Sequence, residues 1–254
     1  MWHVETDYFA MAVFIIMLIK EHSLKKEYPD VQTKTFYWVL IVSIVNAVID
    51  IAASIAMNDI KNWWVYQILM TIDVISMPLL AAVWVQYTYV LIHRDEDVKR
   101  LQRAGLYLLI PYTAYTLLAV TNPFTGLFFH LTDDIEYTRG ILFLPVGVGS
   151  IMLYSVIGLI LVLCNWKKIR TRHTAVLLVT FFVTTVCIIC IQLAHPGWLI
   201  INASYAVIYV WCDITIEDQR RKALYQQINR KNEELEVIAK KAESAAHAKT
   251  EFLS

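Results

Sequence analysis

The sequence has few of the residues that form disulfide frameworks or structural metal sites. It contains four cysteines, and each lies inside an apolar block: Cys164, Cys187, Cys190 and Cys212. A disulfide framework or a zinc site needs exposed, clustered thiols, so we interpret these four as small buried residues. Cys187 and Cys190 have C-x-x-C spacing, but they lie in the middle of an apolar segment of membrane-spanning length.

Catalytic motifs are absent as well. No H-E-x-x-H pattern and no P-loop pattern occurs, so nothing in the sequence supports metal-dependent hydrolysis or nucleotide chemistry. The last apolar segment contains no lysine to which retinal could be attached as a Schiff base. The formal net charge is zero. We expect no metal, no cofactor, no nucleic-acid partner and no enzymatic activity of this chain itself.

The sequence is rich in apolar side chains, which make up 58% of its residues, against about 45–50% in soluble domains. Acidic Glu5 and Asp7 precede the first apolar block where a cleavable signal peptide would have basic residues. We interpret that block as a true span. Seven apolar segments are recognisable: Tyr8–Ile19, Phe36–Met57, Trp64–Ile92, Leu106–Val120, Ile141–Trp166, Thr174–Ala194 and Trp198–Cys212. They predict an all-α integral membrane protein with a seven-transmembrane helix bundle in residues 1–212.

The basic residues are distributed unevenly among the loops between these segments. The loops after the first, third and fifth segments hold twelve: Lys20, Lys25, Lys26, Lys34, Arg94, Lys99, Arg100, Arg103, Lys167, Lys168, Arg170 and Arg172. The alternate loops hold only Lys61 and Arg139. Because cytoplasmic loops carry an excess of Lys and Arg, the pattern predicts an N-terminus outside and a C-terminus in the cytoplasm.

The C-terminal segment is highly charged. From Asp213 to Ser254 it contains neither proline nor glycine, so nothing in the sequence ends a helix there. The inward positions of a heptad repeat are Ile214, Glu217, Arg221, Leu224, Ile228, Lys231, Leu235, Ile238, Ala242, Ala245, Lys249 and Phe252. Eight of these twelve are apolar, which is typical of a loose two-stranded coiled coil. We predict a cytoplasmic coiled-coil signalling helix in residues 213–254 that forms a homodimer through 214–252; the alternative is a solvated amphipathic tail.

Polar side chains within the predicted spans are candidates for a functional site, because such groups are costly in a bilayer. Those in the outer halves of the spans are Asn46, Asp50, Gln67, Asp73, Gln192, Asn202 and Tyr205. No Lys or Arg lies inside a predicted span, so we expect no internal cation to neutralise the two aspartates. Prolines in spans three, four and five (Pro78, Pro111 and Pro145) predict kinks that would open a cavity among these groups.

The predicted external loop, residues 121–140, lies on the same outer side of the membrane as these polar residues. Its residues Asn122-Pro123-Phe124-Thr125-Gly126 are typical of a turn. Phe128-Phe129-His130 is predicted to be an apolar patch folded back on the bundle. Carboxylates at Asp133, Asp134 and Glu136 then indicate either a solvated loop tip or a lid over an external pocket.

Two interpretations of the polar residues stay open. In the first, they form hydrogen bonds between helices that hold the bundle together, each worth about 0.6 kcal/mol. In the second, they line a cavity whose acidic pair selects a cationic or hydroxylated small molecule. Asp50 and Asp73 can instead share a proton, since two like charges close together do not both ionise cheaply.

The chain ends in an alanine-rich stretch followed by Ala248-Lys249-Thr250-Glu251-Phe252-Leu253. This segment resembles the A-K-[ST]-x-F-L entrance to the dimerisation and phosphoacceptor domain of bacterial sensor histidine kinases. The histidine box that follows in that family is absent here, as is the ATP-binding domain, and His247 precedes the position of the box. The seven spans likewise resemble the transmembrane input domains found on such kinases.

The resemblance implies the sensing half of a two-component kinase in a bacterial cytoplasmic membrane. An external small molecule would bind in the outer half of the bundle, and span seven would transmit the change to the dimeric coiled coil. The competing class is a transporter or channel with a cytoplasmic oligomerisation helix. Polar groups along a path through both leaflets would favour that class, whereas here they crowd into the outer half.

Overall fold

The computed structural model describes residues 5–27, 31–59, 62–93, 96–132, 137–169, 172–194 and 201–253. The chain divides into two compact units, Met1–Val210 and Trp211–Ser254. The candidate site lies entirely in the first unit.

Most of the described chain is α-helical, as the sequence predicts. In chain order the elements are α1 (Glu5–Glu27), α2 (Val31–Asp59), α3 (Trp63–Ile92), α4 (Val98–Leu108), α5 (Ile110–Ala119), α6 (Asn122–Thr125), β1 (Phe129–Leu131), β2 (Tyr137–Arg139), a π-helical turn (Phe143–Val148), α7 (Gly149–Cys164), a 3₁₀ turn (Trp166–Lys168), α8 (Arg172–Ala194) and α9 (Ile201–Leu253). The small antiparallel sheet of β1 and β2, in which His130 pairs with Thr138, was not predicted.

Four helical segments are long and apolar enough to cross a membrane. Within the described residues they are Val31–Ala56, Trp63–Ile92, Phe143–Cys164 and Arg172–Ile191. Helix α1 has charged residues at both ends of its apolar stretch, and α9 is charged over most of its length. The fourth predicted segment is divided between α4 and α5. The coarse prediction of an apolar helical protein is therefore confirmed.

Helix α3 is the centre of the first unit, because it packs against α2, α4, α5, α6 and α7. A helix that is apolar on all sides is expected to be surrounded by other elements. Its Trp84 is fully buried and stacks on Phe181 of α8 with ring centroids 4.1 Å apart. The Trp84 indole N–H donates to the Tyr209 hydroxyl of α9 at 2.6 Å, so this aromatic cluster joins three helices.

The break between α4 and α5 lies beside Pro111, one of the three predicted kink positions. The Tyr112 amide would donate to the Leu108 carbonyl in a continuous helix. Instead, the Tyr154 hydroxyl of α7 accepts from the Tyr112 N–H and donates to the Leu108 carbonyl, both at 2.9 Å. A side chain inserted between these backbone groups keeps both satisfied in an apolar setting.

The other two prolines have different effects. Pro145 lies within the π-helical turn that precedes α7, so the helix is locally irregular there. Pro78 lies inside α3, and the helix continues past it to Ile92. Proline thus interrupts regular α-helix in the fourth and fifth predicted segments and is accommodated in the third.

The segment between α5 and α7 folds back on the first unit, as the sequence predicts. The Asn122 side chain accepts from the backbone N–H groups of Phe128 (2.7 Å) and Phe129 (3.2 Å) and donates to the Phe129 carbonyl (3.1 Å). Gly126 ends the one-turn helix α6 with a φ of 62°, which favours glycine. Both phenylalanines are fully buried. Asp133, Asp134 and Glu136 lie outside the described residues.

The second unit consists of the remainder of α9. The absence of proline and glycine correctly predicts that the helix continues to Leu253. Several apolar side chains are exposed along it, including Ile214, Ile228, Leu235 and Ile238. Two of the predicted polar seam residues pair with each other within the chain, since the Arg221 guanidinium lies 2.6 Å from a Glu217 carboxylate oxygen.

Candidate ligand-binding site

A cavity of about 350 Å³ lies within the first unit. Helices α1, α2, α3, α7, α8 and α9, strand β2 and the π-helical turn all contribute to its lining. Its polar lining residues are Asp7, Asn46, Asp50, Asp73, Tyr137, Arg139, Asn202 and Tyr205, and the remaining residues are apolar. This volume is at the lower end of the range of about 300–1,000 Å³ typical of small-molecule sites. We call it the acidic cavity.

Asn202, near the start of α9, is the centre of the polar network in the acidic cavity. Its amide nitrogen donates to Oδ1 of Asp7 at 3.0 Å and also to Oδ2 of Asp50. The Asn46 amide nitrogen lies 3.2 Å from the same Asp50 oxygen. Ser76 of α3 donates to Oδ1 of Asn46 at 3.0 Å. These bonds join α1, α2, α3 and α9, so the network is also an interhelical contact.

Asp50 of α2 and Asp73 of α3 lie on two helices that pack against each other, and both line the acidic cavity. Two carboxylates that share one small cavity repel each other when both are ionised, so a proton or a cation between them stabilises the pair. Both chemical alternatives that the sequence leaves open are therefore compatible with the geometry.

Two carboxylate oxygens of the acidic cavity have no hydrogen-bond partner among the described residues: Oδ2 of Asp7 and Oδ1 of Asp73. The side chains are 1% and 8% exposed, respectively. A buried acceptor without a donor costs about 1–3 kcal/mol, and more when it is charged. Because both residues line the cavity, a hydrogen-bond donor on a ligand in the cavity would be able to bind these two oxygens.

Arg139 supplies a positive charge to the same lining. It is the last residue of β2, is exposed, and its guanidinium carbon lies 5.2 Å from the centre of the Phe143 ring. Burial raises the pKa of the neighbouring Tyr137 hydroxyl. The positive charge of Arg139 opposes this effect, and the negative charge of Asp73 adds to it. The sequence predicts no cation from within a span, and Arg139 is consistent with this because it belongs to β2 and not to an apolar segment. It adds a positive charge to the lining from the loop.

Five of the seven predicted site residues line the acidic cavity: Asn46, Asp50, Asp73, Asn202 and Tyr205. Gln67 does not. It is buried in α3, and its side-chain oxygen has no hydrogen-bond partner among the described residues. Gln192 lies in α8, but its side chain is outside the described part of the chain.

Sequence reasoning missed four polar contributors: Asp7, Tyr137 and Arg139 of the lining, and Ser76, which donates to Asn46. Asp7 was interpreted only as a flank of the first apolar block, yet α1 begins before it, at Glu5. Arg139 was counted only as a loop residue. Ser76, three residues after Asp73, lies close enough along α3 to share its site. Extending the search for polar residues by one turn beyond each apolar segment would have found Asp7.

Within the described ranges, no group of three His, Cys, Asp or Glu side chains is arranged to hold a metal ion. The carboxylates and amides of the lining are hydrogen-bonding groups that suit a proton or an organic cation that takes several hydrogen bonds. No family model, curated protein or solved structure matches the chain.

Proposed function

We propose that this chain is the membrane receptor module of a bacterial two-component histidine kinase, with the acidic cavity as its external ligand site. The observation that carries the proposal is the position of Asn202 and Tyr205. Both line the cavity, and both lie at the start of α9, the helix whose sequence continues into the charged C-terminal segment. A small molecule that binds in the cavity therefore acts directly on that helix.

The proposed topology has seven spans, an external N-terminus and a cytoplasmic C-terminus in the bacterial cytoplasmic membrane. The cavity residues fit this arrangement by their positions along the chain. Asp7 and Asn202 lie in the first turns of α1 and α9, Asp50 in the second half of α2, and Asp73 in the first half of α3. With successive spans in alternating directions, all four are on the side opposite the lysine- and arginine-rich loops.

The proposed output is a change in a homodimer formed through residues 214–252. Ile214, Leu235 and Ile238 are each at least 60% exposed in the single chain. A row of exposed apolar side chains on a charged helix is typical of a surface covered by a second helix. A ligand shifts such a dimer between two arrangements only by its different affinity for them.

A cross-linking experiment on the chain in lipid nanodiscs tests this function without a known ligand. Single cysteines replace Leu235 or Glu233 after the four native cysteines are changed to serine. Leu235→Cys should cross-link between chains much faster than Glu233→Cys, which faces outward on the heptad. Asp73→Asn should change the rate at position 235, because it alters the charge of the cavity, whereas Gln67→Leu on the same helix should not.

Equal cross-linking at positions 235 and 233 would contradict the dimer. If Asp73→Asn leaves the rate of cross-linking at position 235 unchanged, this result would contradict coupling between the cavity and the C-terminal helix. Both readings are rates of disulfide formation and require only the protein and an oxidant.

A further inference from the structure

The lining of the acidic cavity combines both signs of charge with apolar walls. Asp7 of α1, Asp50 of α2, Asp73 of α3 and Arg139 of β2 all line a single space. Most of the other lining residues are apolar and include Met70, Met77, Leu80 and Ile189. A simple ammonium ion would use the carboxylates alone, and an apolar molecule would use the walls alone.

The acidic part of the lining calls for a charged donor. Oδ2 of Asp7 and Oδ1 of Asp73 are buried acceptors that lack donors among the described residues. The Asn202 and Asn46 amide groups already donate to the other oxygens nearby. A primary ammonium supplies three N–H donors and a positive charge, so it satisfies several acceptors at once.

The Arg139 guanidinium is suited to an anionic group. Arginine carries five N–H donors in a planar fork that binds a carboxylate through two parallel hydrogen bonds. Among the described residues its guanidinium lies over the Phe143 ring, a contact that uses the face of the guanidinium and leaves the N–H donors in its plane for an anion. Arg139 is exposed whereas Asp7 and Asp73 are buried, so the two kinds of charge lie at different depths.

We propose that the ligand is a small zwitterion whose primary ammonium and carboxylate are separated by an apolar chain of several carbons. The ammonium binds at Asp7, Asp50 and Asp73, the apolar chain lies along the methionine and leucine walls, and the carboxylate pairs with Arg139. This inference rests on the proposed function, since it names the ligand class of the same site.

Three probes of equal carbon-chain length separate the contributions of the ammonium and the carboxylate to binding. They are ε-aminocaproate, which carries both groups, hexylamine, which carries only the ammonium, and caproate, which carries only the carboxylate. Binding to the purified chain in nanodiscs is measured by isothermal titration, with leucine as a zwitterion whose charges are adjacent. We expect ε-aminocaproate to bind at least about tenfold more tightly than hexylamine, as one charge-assisted pair provides. Caproate and leucine should bind more weakly than either.

Two variants test which charged residue of the cavity binds which end of the ligand. Arg139→Gln should abolish the preference for ε-aminocaproate over hexylamine and leave hexylamine binding within about twofold, because the amine does not use the guanidinium. Asp73→Asn should weaken both probes. The matched control is Arg172→Gln, at the start of α8 and not among the cavity-lining residues, which should change neither affinity.

Hexylamine binding as tightly as ε-aminocaproate, leucine binding most tightly, or no probe binding at all would each overturn the inference. The cross-linking response to Asp73→Asn uses no ligand and therefore distinguishes the two failures. If that response is seen while no probe binds, the receptor proposal stands and the ligand class is wrong. If neither is seen, both are wrong.

Discussion

The side-chain amide of Asn202 donates to Oδ1 of Asp7 at 3.0 Å, a contact between residues 195 positions apart. It joins the first turn of α9 to the first turn of α1. The same nitrogen donates to Asp50 of α2, so one side chain holds the beginning of α9 against two other helices. Any molecule that competes for these carboxylates also changes how α9 is held.

Replacing Asn202 should therefore affect stability and function together. Asn202→Ala removes the donor to the buried Asp7 and the partly buried Asp50, and we expect a loss of about 1–2 kcal/mol in the free energy of unfolding. Asn165→Ala is the matched control, because the Asn165 side chain, directly after the end of α7, donates to the Leu161 carbonyl of that helix and to no second partner among the described residues. Thermal unfolding of the two variants in the same detergent makes the comparison; equal losses would show that the Asn202 network has no special role.

The Tyr154 hydroxyl should be required where α4 ends and α5 begins. Tyr154→Phe leaves the Tyr112 N–H and the Leu108 carbonyl without their partner in an apolar region, which costs about 1–3 kcal/mol. Tyr107→Phe is the control, since Tyr107 is 70% exposed. Hydrogen exchange of residues 108–112 should increase in Tyr154→Phe alone. Unchanged exchange would mean that the break is stabilised by other groups.

The close packing of α7 on α8 predicts the effect of a single methyl group. A Cβ at position 158 would overlap the ring of Phe182, which is itself buried against Phe181. Gly158→Ala should therefore lower the free energy of unfolding by about 1–3 kcal/mol through overpacking. Gly149→Ala on the same helix meets no atom closer than 3.7 Å and should be neutral or slightly stabilising. Similar melting temperatures for the two variants would contradict this packing.

Part of the site was predictable because the regular rise and turn of a helix fix how deep each residue lies and which face of the helix it occupies. Asn46 and Asp50 are four residues apart and share a face of α2. Counting residues from the span ends predicts a similar depth for Asp50 and Asp73 and a position in the outer half of its span for Asn202. The same geometry explains why Gln67, a predicted site residue, does not line the acidic cavity. Gln67 precedes Asp73 by six residues, which at about 100° per residue puts its side chain roughly 120° away from that of Asp73 around α3.

The rest depends on contacts that local patterns do not encode. Strands β1 and β2 have three residues each, too few to show alternation, so the position of Arg139 is set by the folding of the whole segment after α5. Asn122 controls that folding through three hydrogen bonds to Phe128 and Phe129. The sequence predicts a turn there, but it does not predict that the segment after the turn brings Arg139 to the cavity.

The central claim is that the acidic cavity is open to the outside and attracts cations. It is tested by labelling Met77→Cys, a cavity position, in intact cells of a strain that expresses the chain without its four native cysteines. Two impermeant thiol reagents are compared, cationic trimethylammonium-ethyl and anionic sulfonatoethyl methanethiosulfonate. Phe124→Cys, 91% exposed in α6, supplies the reference ratio of the two rates.

We predict that the ratio of cationic to anionic labelling at position 77 exceeds the ratio at position 124 by at least about fivefold, because acidic clefts concentrate cations. Adding Asp73→Asn should bring the two ratios closer together. A cysteine at position 77 that no external reagent reaches, or one that reacts with the same ratio as position 124, would contradict the account.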